Sequence, residues 1–267
     1  MTMVRKKQAE IEKNIEMKDD EDLLSLLLKS FAAQNLSDDE KLSNDELVSA
    51  IFIIFFAGFE TSSTSLNFFL RILATHPDVQ ERLIEEIDSN INSIDSMTFE
   101  DLTEKLPLMN SFIKESFRVK PAVGAVARTV LKKEGESIGK IHLEKGSVLI
   151  CNMMVHHQLS QNTALDTFKF NRYYQDPTLE EKIDRGTMGH LALDFTKDDL
   201  IPFSLGPRDC LGKRMALIEI KVILVFLLKQ FRLKVPDHLK ESQSKIKEGY
   251  FMTRTTDSPF ILDFETR

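Results

Sequence analysis

The sequence contains little of what marks secreted, membrane-spanning or nucleic-acid-binding proteins. It has two cysteines among 267 residues, which is no disulfide framework and suits a reducing compartment. The net charge is −7, and no Lys and Arg cluster is interleaved with aromatic residues, so we expect no nucleic-acid partner. The first 35 residues open with a polar and charged stretch up to residue 22, unlike a signal peptide. The most apolar run, residues 48–59, is about 12 residues long, too short to span a bilayer.

What the sequence does contain is enough apolar residues, 42%, for a sizeable core. Its periodicities predict a mainly α protein with small β-sheets, an α+β fold. Residues 1–22 form a charged N-terminal segment, and we expect the folded domain to extend over residues 23–267. We predict helices at residues 44–74, 108–119 and 215–231, and short strands at residues 128–131, 140–143 and 147–150. Residues 176–200 are expected to form a surface insertion, and the tail after residue 251 a closing hairpin.

The first long helix has an unusual centre. Ser43 and Glu46 form a capping-box signature, and residues 48–59 are apolar on nearly every side, so we expect this stretch to run through the core. Gly58, Glu60 and Thr61 follow, which places polar groups and a missing side chain inside the helix. We therefore expect a local distortion with a hydroxyl and a carboxylate beside a groove. The simpler alternative is a core helix with one buried Thr and a surface Glu.

One of the two cysteines lies in a distinctive loop. Gly206 and the proline after it predict a tight turn, and Cys210 precedes an apolar helix whose N-terminus, with Arg208 and Arg214 nearby, favours a thiolate. A nucleophile would need a base, and no His is close in sequence. A structural metal site would need more ligands than Cys151 can add. A single thiolate suffices where a porphyrin supplies the remaining ligands. The alternative is a small buried apolar residue.

The loop resembles the haem-ligand signature of the cytochrome P-450 family, F-x-x-G-x-R-x-C-x-G. All five fixed positions match, at Phe203, Gly206, Arg208, Cys210 and Gly212. The resemblance implies that Cys210 ligates haem iron. It also implies that the glycines let the macrocycle lie against the backbone, while Arg208 pairs with a haem propionate.

The long helix resembles the oxygen-binding helix of the same family, A-G-x-[D/E]-T-[T/S]. The matching residues are Ala57, Gly58, Glu60 and Thr61. By this resemblance Glu60 and Thr61 are the catalytic pair that helps to protonate iron-bound dioxygen. Ala57 and Gly58 form the groove in which the oxygen binds.

Two further stretches resemble the family. The K-E-x-x-R helix is matched by Glu115 and Arg118, and the F-x-P-x-R-F loop, with a Phe in place of its proline, supplies Arg172. The resemblance makes these three a structural triad that supports the cysteine loop. Arg128 matches a position that often meets a propionate; the alternative is a solvated arginine at the end of a strand. His156, next to another His, aligns with the family's H-x-D-P motif, and we expect no joint metal site and no catalytic role there.

The resemblance covers the chain from about residue 23 and corresponds to the C-terminal half of the family's fold. It implies a haem-thiolate monooxygenase that oxidises a small organic substrate. Electrons would come from an NADPH-dependent flavoprotein reductase, because the chain has no dinucleotide-binding fingerprint. We expect a location in the cytoplasm or on the cytosolic face of the endoplasmic reticulum. Membrane association is expected only through the missing N-terminal half, and no transmembrane segment in this chain. The alternatives are a non-catalytic haem-binding or interaction fragment and a helical scaffold without haem.

Overall fold

The structure, a computed structural model, describes residues 24–25, 43–160, 167–174, 193 and 195–267. It divides into two compact units, residues 1–60 and 61–267. The charged segment expected at residues 1–22 lies outside the described residues. The predicted domain start at residue 23 therefore stays a prediction.

The long predicted helix is present as α1, Asn44–Thr75. The Ser43 backbone N–H donates to Glu46 Oε2 at 2.8 Å and the Glu46 N–H donates back to Ser43 Oγ at 3.3 Å, so the two residues satisfy each other's exposed groups at the helix start. The helix is continuous through residues 57–61, so the expected local distortion is absent. A glycine inside a helix costs about 1 kcal/mol, and Gly58 alone does not interrupt a helix of 32 residues.

The prediction that residues 48–59 run through the core is wrong. Among the described residues of the first unit, contacts cover one side of α1, where Leu47 and Ile51 pack against Leu24. Phe52 and Phe59 are 67% and 73% exposed. A helix that is apolar on every side needs partners on every side, and the described residues supply them on one.

By length and composition, residues Asp45–Thr75 are also sufficient to cross a membrane, with 17% of the most apolar window buried. This differs from the expectation that the chain contains no transmembrane segment. Core helices of soluble proteins have the same length and composition, so this property is weak evidence for a membrane span.

The second unit is built from α-helices around one core. After α1 come α2 (Pro77–Asn90), α3 (Phe99–Glu104), α4 (Pro107–Val119), α5 (Met153–Ser160), α6 (Lys213–Gln230) and α7 (Lys240–Ser244), with single 3₁₀ turns at Gly206–Arg208 and Asp237–Leu239. Proline occupies the first position of α2 and α4, where its missing N–H costs nothing. Every residue of α4 from Met109 to Val119 is buried. The core therefore has α4 at its centre.

In the part of the chain that the structure describes, four two-stranded antiparallel sheets complete the fold, which confirms the predicted α+β class. They pair β1 (Ala125–Thr129) with β4 (Val148–Asn152), β2 (Glu136–Ile138) with β3 (Ile141–Leu143), β5 (Phe231–Lys234) with β8 (Asp263–Thr266), and β6 (Glu248–Tyr250) with β7 (Arg254–Thr256). The C-terminal tail is thus more than the expected closing hairpin. Its last strand leaves the β6–β7 hairpin and pairs with β5, directly after α6.

The expectation that residues 176–200 form a surface insertion is wrong for the described residues of this range, 193 and 195–200. Residues 176–192 and 194 lie outside the described part. Leu193, Phe195 and Leu200 are at most 2% exposed and belong to the main core. Polar neighbours suggested a surface loop, but three large apolar side chains among them are enough to bury the end of this stretch.

Candidate functional site

Backbone hydrogen bonds between residues close in the chain close the cysteine loop. The Cys210 N–H donates to the carbonyl of Phe203 at 2.9 Å, and the Ser204 N–H donates to the carbonyl of Ile201 at 3.0 Å. Ser204 has a φ of +61° and Gly206 a φ of +78°. The left-handed conformation is free of strain for glycine and unfavourable for serine, so the loop conformation has to be held by its surroundings.

Cys210 lies in an exposed part of the loop with open space around its glycines. Cys210 is a free thiol and exposed. A Cβ added to Gly206 would meet nothing within 4 Å, and one added to Gly212 would meet only the Cys210 Sγ, at 4.0 Å. Nearby in sequence, Leu205 is 55% and Leu211 91% exposed. An accessible sulfur with small and apolar neighbours fits a flat, largely apolar group bound through that atom.

Within residues 43–160, 167–174 and 195–267, together with the few others that are described, no three His, Cys, Asp or Glu side chains are arranged to hold a metal ion. Haem iron needs only a single thiolate from the protein, because its porphyrin supplies further ligands.

Aromatic rings connect the start of the loop to the core. The ring of Phe203 lies 5.2 Å from that of Phe117 in α4 and 5.6 Å from that of Phe195, and the latter two rings are 5.7 Å apart. All three contacts are edge-to-face, the favoured geometry for aromatic pairs. Phe203 thus fixes one end of the cysteine loop to the buried centre of the unit.

The structure brings Glu115, Arg118 and Arg172 together. Arg118 donates to both oxygens of the Glu115 carboxylate, at 2.8 and 2.9 Å, and Arg172 Nε donates to Oε2 at 3.0 Å. The Lys169 backbone N–H donates to Oε1 at 2.8 Å, and Arg118 also reaches the carbonyl of Thr167 at 2.6 Å. Glu115 and Arg118 are fully buried, which ions tolerate only with such complete pairing.

Three side chains that we did not assign to the site hold the segment leading into the cysteine loop. His157 in α5 is fully buried, and its Nε2 accepts the backbone N–H of Ile201 at 3.0 Å. Lys114 in α4 pairs with Asp198, and His156 Nε2 lies 3.3 Å from a carboxylate oxygen of Asp199. The adjacent histidines were visible in the sequence. Their partners lie more than forty residues away, and no local pattern indicates such contacts.

The two arginines expected at the propionates are both exposed. Arg208 lies in the 3₁₀ turn before Cys210. Arg128 lies in β1, opposite Leu149, and its Nη1 donates to the carbonyl of Ala127 at 2.8 Å. Their contact with haem stays a prediction.

The expected oxygen-binding residues lie along α1. Ala57, Gly58 and Glu60 belong to the first unit, and Thr61 begins the second. Ala57 and Gly58 are exposed, a Cβ added to Gly58 would meet nothing within 4 Å, and Glu60 and Thr61 are half-buried. The Thr61 carbonyl accepts a hydrogen bond from Ser65 Oγ at 2.8 Å. The roles of these four residues stay predictions.

Comparison with known proteins gives a consistent answer. A sequence model of the family described as Cytochrome P-450 matches residues 1–261. Cytochrome P-450 3A6 of Oryctolagus cuniculus is 31% identical over 247 residues, which make up 92% of this chain and 45% of that protein. Cytochrome P-450 3A7 of Homo sapiens is 31% identical with the same coverage. Cytochrome P-450 9e2 of Blattella germanica is 33% identical over 85% of this chain and 40% of its own length. The chain thus spans less than half the length of these relatives.

Proposed function

The chain belongs to the cytochrome P-450 family, and on that premise we propose that it is the haem-binding part of a haem-thiolate monooxygenase. Cys210 would be the axial iron ligand. The observation that supports this most directly is the free, exposed Cys210 sulfur in a hydrogen-bonded loop beside two glycines. When bound, haem supplies the iron at which dioxygen is activated, and a thiolate ligand favours O–O cleavage.

The residues of this chain would bind and orient that group. The exposed guanidinium groups of Arg208 and Arg128 suit charge-assisted pairing with propionates. The Thr61 hydroxyl and the Glu60 carboxylate would deliver protons at the oxygen-binding face, since they are adjacent on one helix and neither is fully buried. Gly206, Gly212, Ala57 and Gly58 would leave room for the macrocycle and for oxygen.

The remaining parts of the activity come from the family resemblance. The substrate would be a small organic molecule. The electron donor would be an NADPH-dependent flavoprotein reductase. The site of action would be the cytoplasm or the cytosolic face of the endoplasmic reticulum. Each of these belongs to the whole monooxygenase, of whose length this chain spans less than half.

The experiment that tests the ligand assignment uses the two cysteines as a matched pair. We expect the full chain loaded with haem, reduced and exposed to carbon monoxide, to show the thiolate-type absorption band. Cys210→Ala is expected to lose the band because it removes the ligand, while Cys151→Ala keeps it. A thiolate band that persists in Cys210→Ala contradicts the assignment.

One observation favours a second function, a haem-binding or interaction fragment without turnover. Large apolar side chains of α1, including Phe52 and Phe59, are exposed, next to the residues that would receive oxygen. A monooxygenase needs that face to be closed against water. In this case the chain would bind haem and show the carbon monoxide band without consuming oxygen. A folded preparation that stays colourless after haem is added would instead indicate a scaffold without haem.

A further inference from the structure

The buried imidazole of His157 contacts the backbone of a residue far away in the sequence. Its Nε2 accepts the N–H of Ile201, a residue 44 positions later, at 3.0 Å. An imidazole nitrogen that accepts a hydrogen bond carries no proton, so the ring is neutral with its proton on Nδ1. A backbone N–H that is shielded from water and left without a partner is costly. The Ile201 N–H is half-buried, and the backbone hydrogen bonds of the described turns at residues 195–200 do not extend to it. The His157 ring is thus what satisfies this group.

Ile201 begins the first hydrogen-bonded turn of the cysteine loop. Its carbonyl accepts the N–H of Ser204, whose left-handed φ of +61° has to be maintained by its surroundings. Two residues after Ile201, the Phe203 carbonyl accepts the N–H of Cys210 at 2.9 Å. A continuous path therefore runs from the imidazole through the Ile201 peptide to the backbone of the cysteine.

The other side chains that hold this segment act before Ile201. Lys114 contacts the Asp198 carboxylate, and His156 lies 3.3 Å from that of Asp199. Both contacts fix side chains, and the Asp199 side chain is 64% exposed. Among these contacts of the described residues, that of His157 is the one that fixes the backbone N–H at which the loop begins.

From these contacts we infer that His157 is a positioning residue for Cys210. Through the peptide of Ile201 it holds the backbone turn that determines where the Cys210 sulfur lies. The inference concerns the loop itself and rests on the proposed function only for what the sulfur ligates.

The test measures the loop directly, by amide hydrogen exchange in the full chain without haem. His157→Leu removes the acceptor at similar volume, and we expect exchange at both Ile201 and Cys210 to become roughly two- to tenfold faster, the effect of one lost hydrogen bond. His157→Gln places an oxygen near the position of Nε2 and should restore protection at both amides. His238→Leu, the same change at an exposed histidine of the second unit, is the matched control and should change neither.

A second readout uses the haem-loaded chain. We expect His157→Leu to convert part of the thiolate-type carbon monoxide band into the band of a haem without thiolate, and His157→Gln to restore it. Unchanged protection of the Cys210 amide in a folded His157→Leu variant overturns the inference. If His157→Leu does not fold, the comparison is between His157→Gln and the shorter His157→Asn, and equal exchange in these two overturns it. A wild-type chain that binds no haem refutes the proposed function, while amide exchange still decides the role of His157.

Discussion

At the scale of single residues, the Glu115 carboxylate is an anion buried between two arginines. It is fully buried and accepts hydrogen bonds from Arg118, Arg172 and the Lys169 backbone. The same three groups join α4 to the loop at residues 167–174, so a single carboxylate connects two parts of the second unit. Removing it would leave buried positive charge without compensation.

We expect Glu115→Ala to destabilise the protein by about 3–5 kcal/mol, the range for breaking a buried ion pair. The measurement is the free energy of unfolding from urea titration. The control is Glu136→Ala, which removes the exposed ion pair with Lys132 and should change stability little. Similar losses in the two variants would show that the Glu115 network does not stabilise the fold.

A half-buried carboxylate, Glu86 in α2, caps the start of α4. It accepts the N–H groups of Leu108 and Met109, at 2.6 and 2.9 Å. Burial raises the pKa of Glu86 to about 7, against the opposing effects of these two hydrogen bonds and of the charge on Lys221. The folded protein therefore binds this proton more tightly than the unfolded chain does, and the contribution of Glu86 to stability is present below pH 4.5 and is lost as the pH rises through 7.

This gives a pH-dependent prediction. Between pH 5 and pH 7.5 the wild-type free energy of unfolding should contain a component that falls with pH, and Glu86→Gln, which cannot ionise, should lack it. Urea titrations of both proteins across this range measure the difference. Parallel curves for the two would mean that Glu86 ionises normally in the folded protein.

At the level of elements, two of the phenylalanines of α1 lie in opposite environments. Phe69 is fully buried, and its ring packs edge-to-face on those of Phe112 and Phe117 at 6.0 and 5.0 Å. Phe59, one of the exposed residues of the first unit, is 73% exposed. Replacing each of the two by alanine therefore changes helix propensity equally, so the difference in the free energy of unfolding measures the packing of Phe69.

We expect Phe69→Ala to cost about 3–5 kcal/mol, because it removes buried area and leaves a cavity. Phe59→Ala should change stability by much less, since its side chain has little contact area to lose and Ala is the better helix former. Urea unfolding of both variants provides the comparison. A large loss in Phe59→Ala would indicate that this side chain is covered in solution.

For the whole molecule, the feature that bears on turnover of a substrate is the exposed apolar surface of α1. The second unit carries the complete cysteine loop and its supports, while the apolar face of α1 at residues 52–59 is exposed. A monooxygenase has to exclude water from the oxygen-binding face, because water weakens the electrostatic interactions in the site and permits side reactions.

The full chain with haem, NADPH and a flavoprotein reductase should consume oxygen in a substrate-dependent way if it is a complete catalyst. The control is Cys210→Ala under the same conditions, which should not. Oxygen consumption that is equal in the two would be unrelated to the proposed site. A chain that shows the thiolate band and consumes no oxygen would favour the haem-binding fragment.

The sequence by itself determined the features that depend on residues close together in the chain. The capping box at Ser43, the prolines that begin α2 and α4, and the spacing around Cys210 are all local, because turn and helix ends are set by side chains within a few residues. The signature around Cys210 also indicated the protein family, because it resembles a known motif; no structural geometry was needed. The Glu115 and Arg118 pair is local as well, at a separation of three residues.

Only the tertiary structure decided what depends on distant partners. It determined that β8 pairs with β5, that Leu193, Phe195 and Leu200 lie in the core, and that apolar residues such as Phe52 and Phe59 are exposed. It also determined that His157 satisfies the backbone of Ile201. Apolar character shows that a side chain gains by burial, but whether it is buried depends on which surfaces are present to cover it. A hydrogen-bond partner 44 residues away leaves no periodic trace in the sequence.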